Sequence, residues 1–320
     1  MAESLWKTPS VVEELEIART GAVMIDRSAS GNICLSGSER ISWLQGMVSN
    51  DLNHLTPDHN SISAFMLDAT GHILADLKIV DRGDNLLLNF DGRIVERVYS
   101  RMDGFVVVED VEITEQSGFL ACISIQGPKA KSAIECFASD ATVVAADYTG
   151  FGGIDVYFKI SEREQTLEKI RATDIHPISA EAREILRISA GIPQYGIDFD
   201  ETVLAPETGL AASHISYSKG CYVGQEIVAR IQSRGHTNRI FSGFFVSGNR
   251  EPASGTRLVM ENDGNIRDMG WITSSIHSPT SHQILALGYV RNEASAPGTI
   301  LQLDGVQYPA TATVAVLPFV

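Results

Sequence analysis

Cysteine is scarce in this chain: four residues in 320, Cys34, Cys122, Cys136 and Cys221. They are too few and too scattered for the disulfide framework of a small secreted protein, and no pair has the Cys-x-x-Cys spacing of a local zinc or cluster site, so no bound metal is expected. Positive charge is also short. With 25 basic against 40 acidic residues the formal net charge is −15, so nothing draws the chain to a phosphate backbone and no nucleic-acid partner is expected. Long apolar runs are missing too. No stretch approaches the roughly 18 apolar residues that a membrane span needs, and residues 1–25 carry acidic side chains where a signal peptide would have an apolar core. The expectation is a cytoplasmic protein with no membrane partner. What the chain does have is 44% hydrophobic residues, enough at this length to bury the cores of two or three domains.

The apolar pattern alternates between two periods. Asn32 to Leu35 reads as a strand, followed by Ser36 as a helix cap with Glu39 three residues on, and a helix to about Ser49 that buries Ile41, Leu44, Val48 and Leu52. Ser61–Leu67, His72–Val80 and Asn85–Phe90 form a predicted antiparallel meander, punctuated by Asp68-Ala-Thr-Gly71 and Asp81-Arg-Gly-Asp84. A second amphipathic helix follows through Ile94, Val95, Val98 and Met102, then a strand from Phe105 to Thr114. A second unit begins at Phe119. Its segment Ile123-Ser-Ile-Gln-Gly127-Pro-Lys-Ala-Lys-Ser-Ala-Ile134 repeats the register of Ile33-Cys-Leu-Ser-Gly37-Ser-Glu-Arg-Ile-Ser-Trp-Leu44, with Pro128 at a first-turn position. A strand over Ile154–Ile160, a helix from Ser161 with a capping box to Glu164, and a helix from about Ser179 complete it. From Ile240 short strands alternate with turns such as Asn262-Asp-Gly-Asn265 and Asp304-Gly305. The predicted fold class is α+β: two duplicated units, residues 1–117 and 118–239, and a small β-barrel over 240–320.

One stretch crowds the most chemistry together, Tyr217-Ser-Lys-Gly-Cys-Tyr-Val-Gly-Gln-Glu-Ile-Val-Ala-Arg230. Ile227, Val228 and Ile231 fall at helical spacing after Gly224, which puts Cys221 just before a helix entrance. There the helix dipole, together with nearby Lys219, would favour thiolate over thiol, and glycines at 220 and 224 would let a ligand approach the backbone.

Within it, Lys219-Gly220-Cys221-Tyr222-Val223-Gly224-Gln225-Glu226 resembles the signature of the YgfZ family, tetrahydrofolate-binding proteins tied to iron–sulfur cluster maintenance. That family is similar in turn to the T-protein of the glycine cleavage system, a folate-dependent aminomethyltransferase. T-proteins have aspartate and phenylalanine where Cys221 and Tyr222 stand. The resemblance implies two intertwined α+β units plus a β-barrel, and tetrahydrofolate, or a one-carbon derivative, as cofactor.

It also implies further site residues. Asp76, in Gly71-His-Ile-Leu-Ala-Asp-Leu77, matches the second of two adjacent T-protein acids, the first being Ala75 here. An aspartate in an apolar strand suits hydrogen bonding to a pterin or protonating a leaving amine. Leu186-Arg187-Ile-Ser189-Ala-Gly191 matches the T-protein segment whose glutamate, at the Ser189 position, grips the pterin; serine removes that charge-assisted contact. Tyr195, in Pro193-Gln-Tyr-Gly196, would line the pocket, and Arg239 would meet the glutamate tail of folate. His214 and His236 have no second ligand at metal spacing and read as polar loop residues.

Three functions compete on this basis. The first is a YgfZ-type accessory factor that binds folate and supports iron–sulfur client or assembly proteins through Cys221. The second is a folate-dependent aminomethyltransferase or demethylase of T-protein type, using Asp76. The third is a folate-free interaction module, which Ser189 favours.

Overall fold

The computed structural model describes residues 9–235, 237–262, 264–306 and 310–319. Helix α1 (Val11–Thr20) leads into β1 (Val23–Asp26), β2 (Gly31–Ser36), the short helix α2 (Arg40–Gln45), β3 (Ser61–Leu67), β4 (Ile73–Asp81), β5 (Leu86–Phe90), α3 (Val95–Asp103) and β6 (Glu112–Glu115). Then come β7 (Leu120–Gln126), β8 (Thr142–Ala145), β9 (Gly153–Lys159), α4 (Arg163–Arg171), β10 (His176–Pro177), α5 (Ala180–Ser189), α6 (Ala211–His214) and α7 (Gln225–Arg234). The last strands are β11 (Arg239–Val246), β12 (Arg257–Asn262), β13 (Asn265–Ser278), β14 (Gln283–Arg291), β15 (Ile300–Asp304) and β16 (Thr311–Ala315).

The strands make two five-stranded sheets, ordered β3-β4-β5-β2-β6 and β10-β1-β7-β9-β8, and a closed barrel, β11-β14-β13-β12-β15-β16. This is the expected α+β fold with a C-terminal barrel. The sheets interlock. β1, early in the chain, lies in the second sheet, antiparallel to β7 and parallel to β10. The repeat is visible in backbone geometry: β2 and β7 each end at a glycine of positive φ, Gly37 at 100° and Gly127 at 117°. A Cβ at either position would sit 2.1 Å from Asp110 O or 2.6 Å from Gly21 O, so only glycine turns the corner.

Local signals were overridden where tertiary partners were stronger. Ser36 ends β2 instead of capping a helix, and α2 starts only at Arg40, with no side-chain cap. Glu39 accepts the Asp110 amide at 2.7 Å, and Asp110 accepts the amide and hydroxyl of Ser38, so a distant loop fastens this helix entrance. The helix also stops at Gln45, short of Ser49. The predicted Ser161–Glu164 box is absent as well. Ser161 lies in a 3₁₀ turn, and Glu164 pairs with Arg163 at 2.9 Å. Ser179, in contrast, does cap α5, accepting the Ala182 amide. The segment after Pro128 is a 3₁₀ helix that begins at Ala130. Of the predicted strand from Phe105 to Thr114 only the end from Glu112 is extended, because the Glu109 carboxylate gathers the amides of Val107 and Val108 into a turn.

Candidate functional site

Strand β4 builds the floor of a cleft by simple alternation. Ile73, Ala75, Leu77 and Ile79 are fully buried, whereas Leu74, Asp76 and Lys78 are half-buried on the other face. Asp76 and Lys78 line a cleft of 910 Å³ between the two sheets, together with Phe90, Arg183, Tyr195 and His214. Adjacent strand residues point to opposite faces, so Ala75 belongs to the first sheet's core. Its lack of a carboxylate takes none from the cleft.

Asp76 has a partner that spacing along the chain did not reveal. Its Oδ1 lies 3.2 Å from His214 Nε2. The His214 ring is buried and stacked on Phe65, with centroids 4.7 Å apart and planes at 25°. On its other side, Nδ1 is 2.7 Å from Ser213 Oγ. The connection between α2 and β3 holds this short helix in place: Ser49 Oγ donates to the His214 carbonyl at 2.6 Å, and Asn50 Nδ2 donates to the Ser213 carbonyl at 2.8 Å. His214 is therefore not the polar loop residue expected. His236 lies outside the described residues.

Tyr195 does line the cleft. Its hydroxyl donates to Leu74 O at 3.1 Å and accepts from Arg97 at 2.5 Å, and burial raises its pKa above that of a free phenol. Arg187 also reaches the cleft wall, but its guanidinium is committed to Glu184, to Ile192 O and to Asp198, the last at 2.5 Å. Asp198 in turn accepts from Thr273 and Ser274 of β13, so this buried network ties the barrel to α5. Ser189 and Arg239 are not among the cleft-lining residues. Ser189 ends α5, and its carbonyl accepts the Phe319 amide. Arg239 stacks over Trp271 at 4.9 Å and lies 3.7 Å from the buried Glu207 carboxylate, whose pKa burial raises.

The signature stretch is anchored, and none of its residues is among those that line the cleft. The buried Lys219 ammonium donates to three backbone carbonyls, Gln45 at 2.7 Å, Val48 at 2.8 Å and Asn50 at 2.7 Å. Burial pushes its pKa down to about 8. The expected cation beside Cys221 is therefore spent on the first unit's backbone. Tyr222 is buried, its phenol pushed up to about 12 by desolvation, and Gln225 Nε2 closes the loop onto Gly220 O at 3.3 Å. Cys221 is exposed, in the loop ahead of α7. Glu226 is exposed in the first turn of α7. Gly224 has φ of 84°, and a Cβ there would lie 2.5 Å from Asp68 O: the partner that approaches this glycine is the β3–β4 hairpin. Gly220 has open space around it. Among the described residues there is no cluster of three or more His, Cys, Asp or Glu able to hold a metal, and no helix is long and apolar enough to cross a membrane.

Two interlocked sheets with helices flank a cleft lined by both charged and apolar side chains, and a C-terminal closed barrel follows them in the chain. Residues 3–143 match the GCVT N-terminal domain, and residues 239–320 match the glycine cleavage T-protein C-terminal barrel domain. The chain belongs to the glycine cleavage T-protein superfamily. Curated relatives include the aminomethyltransferase of Caldanaerobacter subterraneus subsp. tengcongensis, 25% identical over 93% of this chain and 86% of that protein. That of Bacillus subtilis is 25% identical over 98% of this chain and 93% of that protein. The crystal structure of glycine cleavage system aminomethyltransferase T from Bartonella henselae superposes with a TM-score of 0.84 at 20% identity, covering 97% of this chain and 89% of that one.

Proposed function

We propose that the cleft binds tetrahydrofolate and that Asp76 works on its one-carbon position, a folate-dependent one-carbon function of aminomethyltransferase type. The observation that carries this is Asp76 itself, a carboxylate on the cleft face of β4 with Oδ1 3.2 Å from His214 Nε2. The relatives named aminomethyltransferase support the same reading. The cleft fits the ligand's size, since small-molecule sites span about 300–1,000 Å³. It also fits the chemistry: Phe90, Tyr195 and Leu210 offer apolar surface for a ring system, and Lys78 and Arg183 offer positive charge for carboxylates. Tetrahydrofolate, when bound, supplies the nitrogen that takes up the one-carbon unit. The protein orients it, excludes water, and presents Asp76 as hydrogen-bond acceptor and proton carrier.

Calorimetric titration with tetrahydrofolate tests this. Binding weakened about tenfold or more in Asp76→Ala, and unchanged in Arg239→Ala, is the expected result. No binding to the wild-type protein would move the reading to a folate-free module.

A second reading is favoured by a different observation, the exposed Cys221 on an anchored loop. There the protein is a YgfZ-type factor that binds folate and supports iron–sulfur client or assembly proteins through the thiol. In this case Cys221→Ala abolishes cluster-enzyme activity in cells while tetrahydrofolate affinity stays at the wild-type level. Normal activity of cluster enzymes in such cells would exclude it.

A further inference from the structure

His214 is absorbed by no motif, yet it is the residue the fold fixes most tightly against Asp76. Its side chain is 10% exposed, its backbone is held by Ser49 and its neighbour's by Asn50, and Phe65 stacks against one ring face. Ser213 Oγ donates to Leu210 O at 3.1 Å and lies 2.7 Å from His214 Nδ1. His214 Nε2 lies 3.2 Å from Asp76 Oδ1, and because an ionised carboxylate only accepts, a hydrogen bond between the two must be donated by Nε2–H. Oδ1 is the oxygen that faces His214, which leaves Oδ2 for a ligand. Asp76 is a strand residue whose cross-strand neighbour is Phe65. The strand sets the position of its Cα, and His214 sets the orientation of its carboxylate.

We propose that His214 is the positioning residue of Asp76: through Nε2–H it holds Oδ1 and presents Oδ2 to the cleft. What Asp76 then does rests on the proposed folate function, whereas the pairing itself can be tested without any ligand. Proton NMR of the ligand-free protein, assigned by ¹⁵N-histidine labelling, should show a His214 Nε2–H resonance protected from exchange with water, and this resonance should vanish in Asp76→Ala. Tetrahydrofolate affinity gives the second readout. His214→Phe keeps the stacking on Phe65 but offers no donor, and should bind about tenfold more weakly. His214→Gln restores a donor and should stay within about threefold of wild type. Absence of the protected signal in the wild-type protein, its persistence in Asp76→Ala, or a His214→Phe protein that binds as tightly as wild type each overturns the proposal. A wild-type protein that shows the signal but does not bind tetrahydrofolate supports the pairing and counts against the folate assignment alone.

Discussion

Lys219 illustrates how a residue's work can differ from what its neighbours in the chain suggest. Beside Cys221 in sequence, it looked like a cation for a thiolate. In the fold its three N–H groups hold the carbonyls of residues 45, 48 and 50. Lys219→Met strands those carbonyls and should cost about 1–3 kcal/mol in urea unfolding at neutral pH. The pH dependence has a defined sign. Its folded pKa, about 8, lies below the ordinary 10.5, so between those values the unfolded chain binds more protons. Lys219's contribution to stability therefore rises as pH climbs from about 8 to 10.5, and its charge-burial cost is fully present below that window. The difference between wild type and Lys219→Met should shift accordingly between pH 8 and pH 10. Residue identity alone could not show this, because the partners are backbone oxygens, which look the same at every position. Asp76 was singled out by the resemblance, which matches it to a T-protein acid, and strand alternation puts it on the cleft face. His214 was not, because its partner comes from a strand far upstream and no local spacing marks the pair.

Elements were legible where burial dictated them and illegible where a distant side chain did. The β3–β4–β5 meander follows from alternation and from the turns at Asp68–Gly71 and Asp81–Asp84. The entrance of α2 does not, since the distant Asp110 amide takes the Glu39 carboxylate that a local capping box would have used; at α4 the adjacent Arg163 takes Glu164. Helix α7 shows the two classes of glycine side by side. Gly224→Ala forces a Cβ to 2.5 Å from Asp68 O at a φ of 84°, and should lower stability by about 2 kcal/mol or more. Gly220→Ala meets nothing, and should stay within about 0.5 kcal/mol. Thermal melts of the two variants provide the comparison. Equal losses would mean that α7 is not seated on the hairpin through Gly224.

Across the whole molecule, one buried carboxylate joins the barrel to the body. Asp198 accepts from Arg187 of α5, from the Gln194 amide, and from Thr273 and Ser274 of β13. Asp198→Ala leaves a buried guanidinium with a lost partner and the Ser274 hydroxyl without its acceptor, while Thr273 keeps Leu287 O, a loss of about 3–5 kcal/mol. The barrel should then melt apart from the sheets, so that fluorescence and circular dichroism transitions, coincident in the wild type, separate. The interlocked sheets carry a consequence for how the chain is made. β1 lies between β7 and β10 in the second sheet, so a segment that leaves the ribosome early must wait for strands synthesised much later before its edges are covered. Long-range pairings of this kind slow folding. Until they close, the nascent chain carries an unpaired apolar strand, Val23-Met-Ile-Asp26, open to chaperones and to misassembly with other chains.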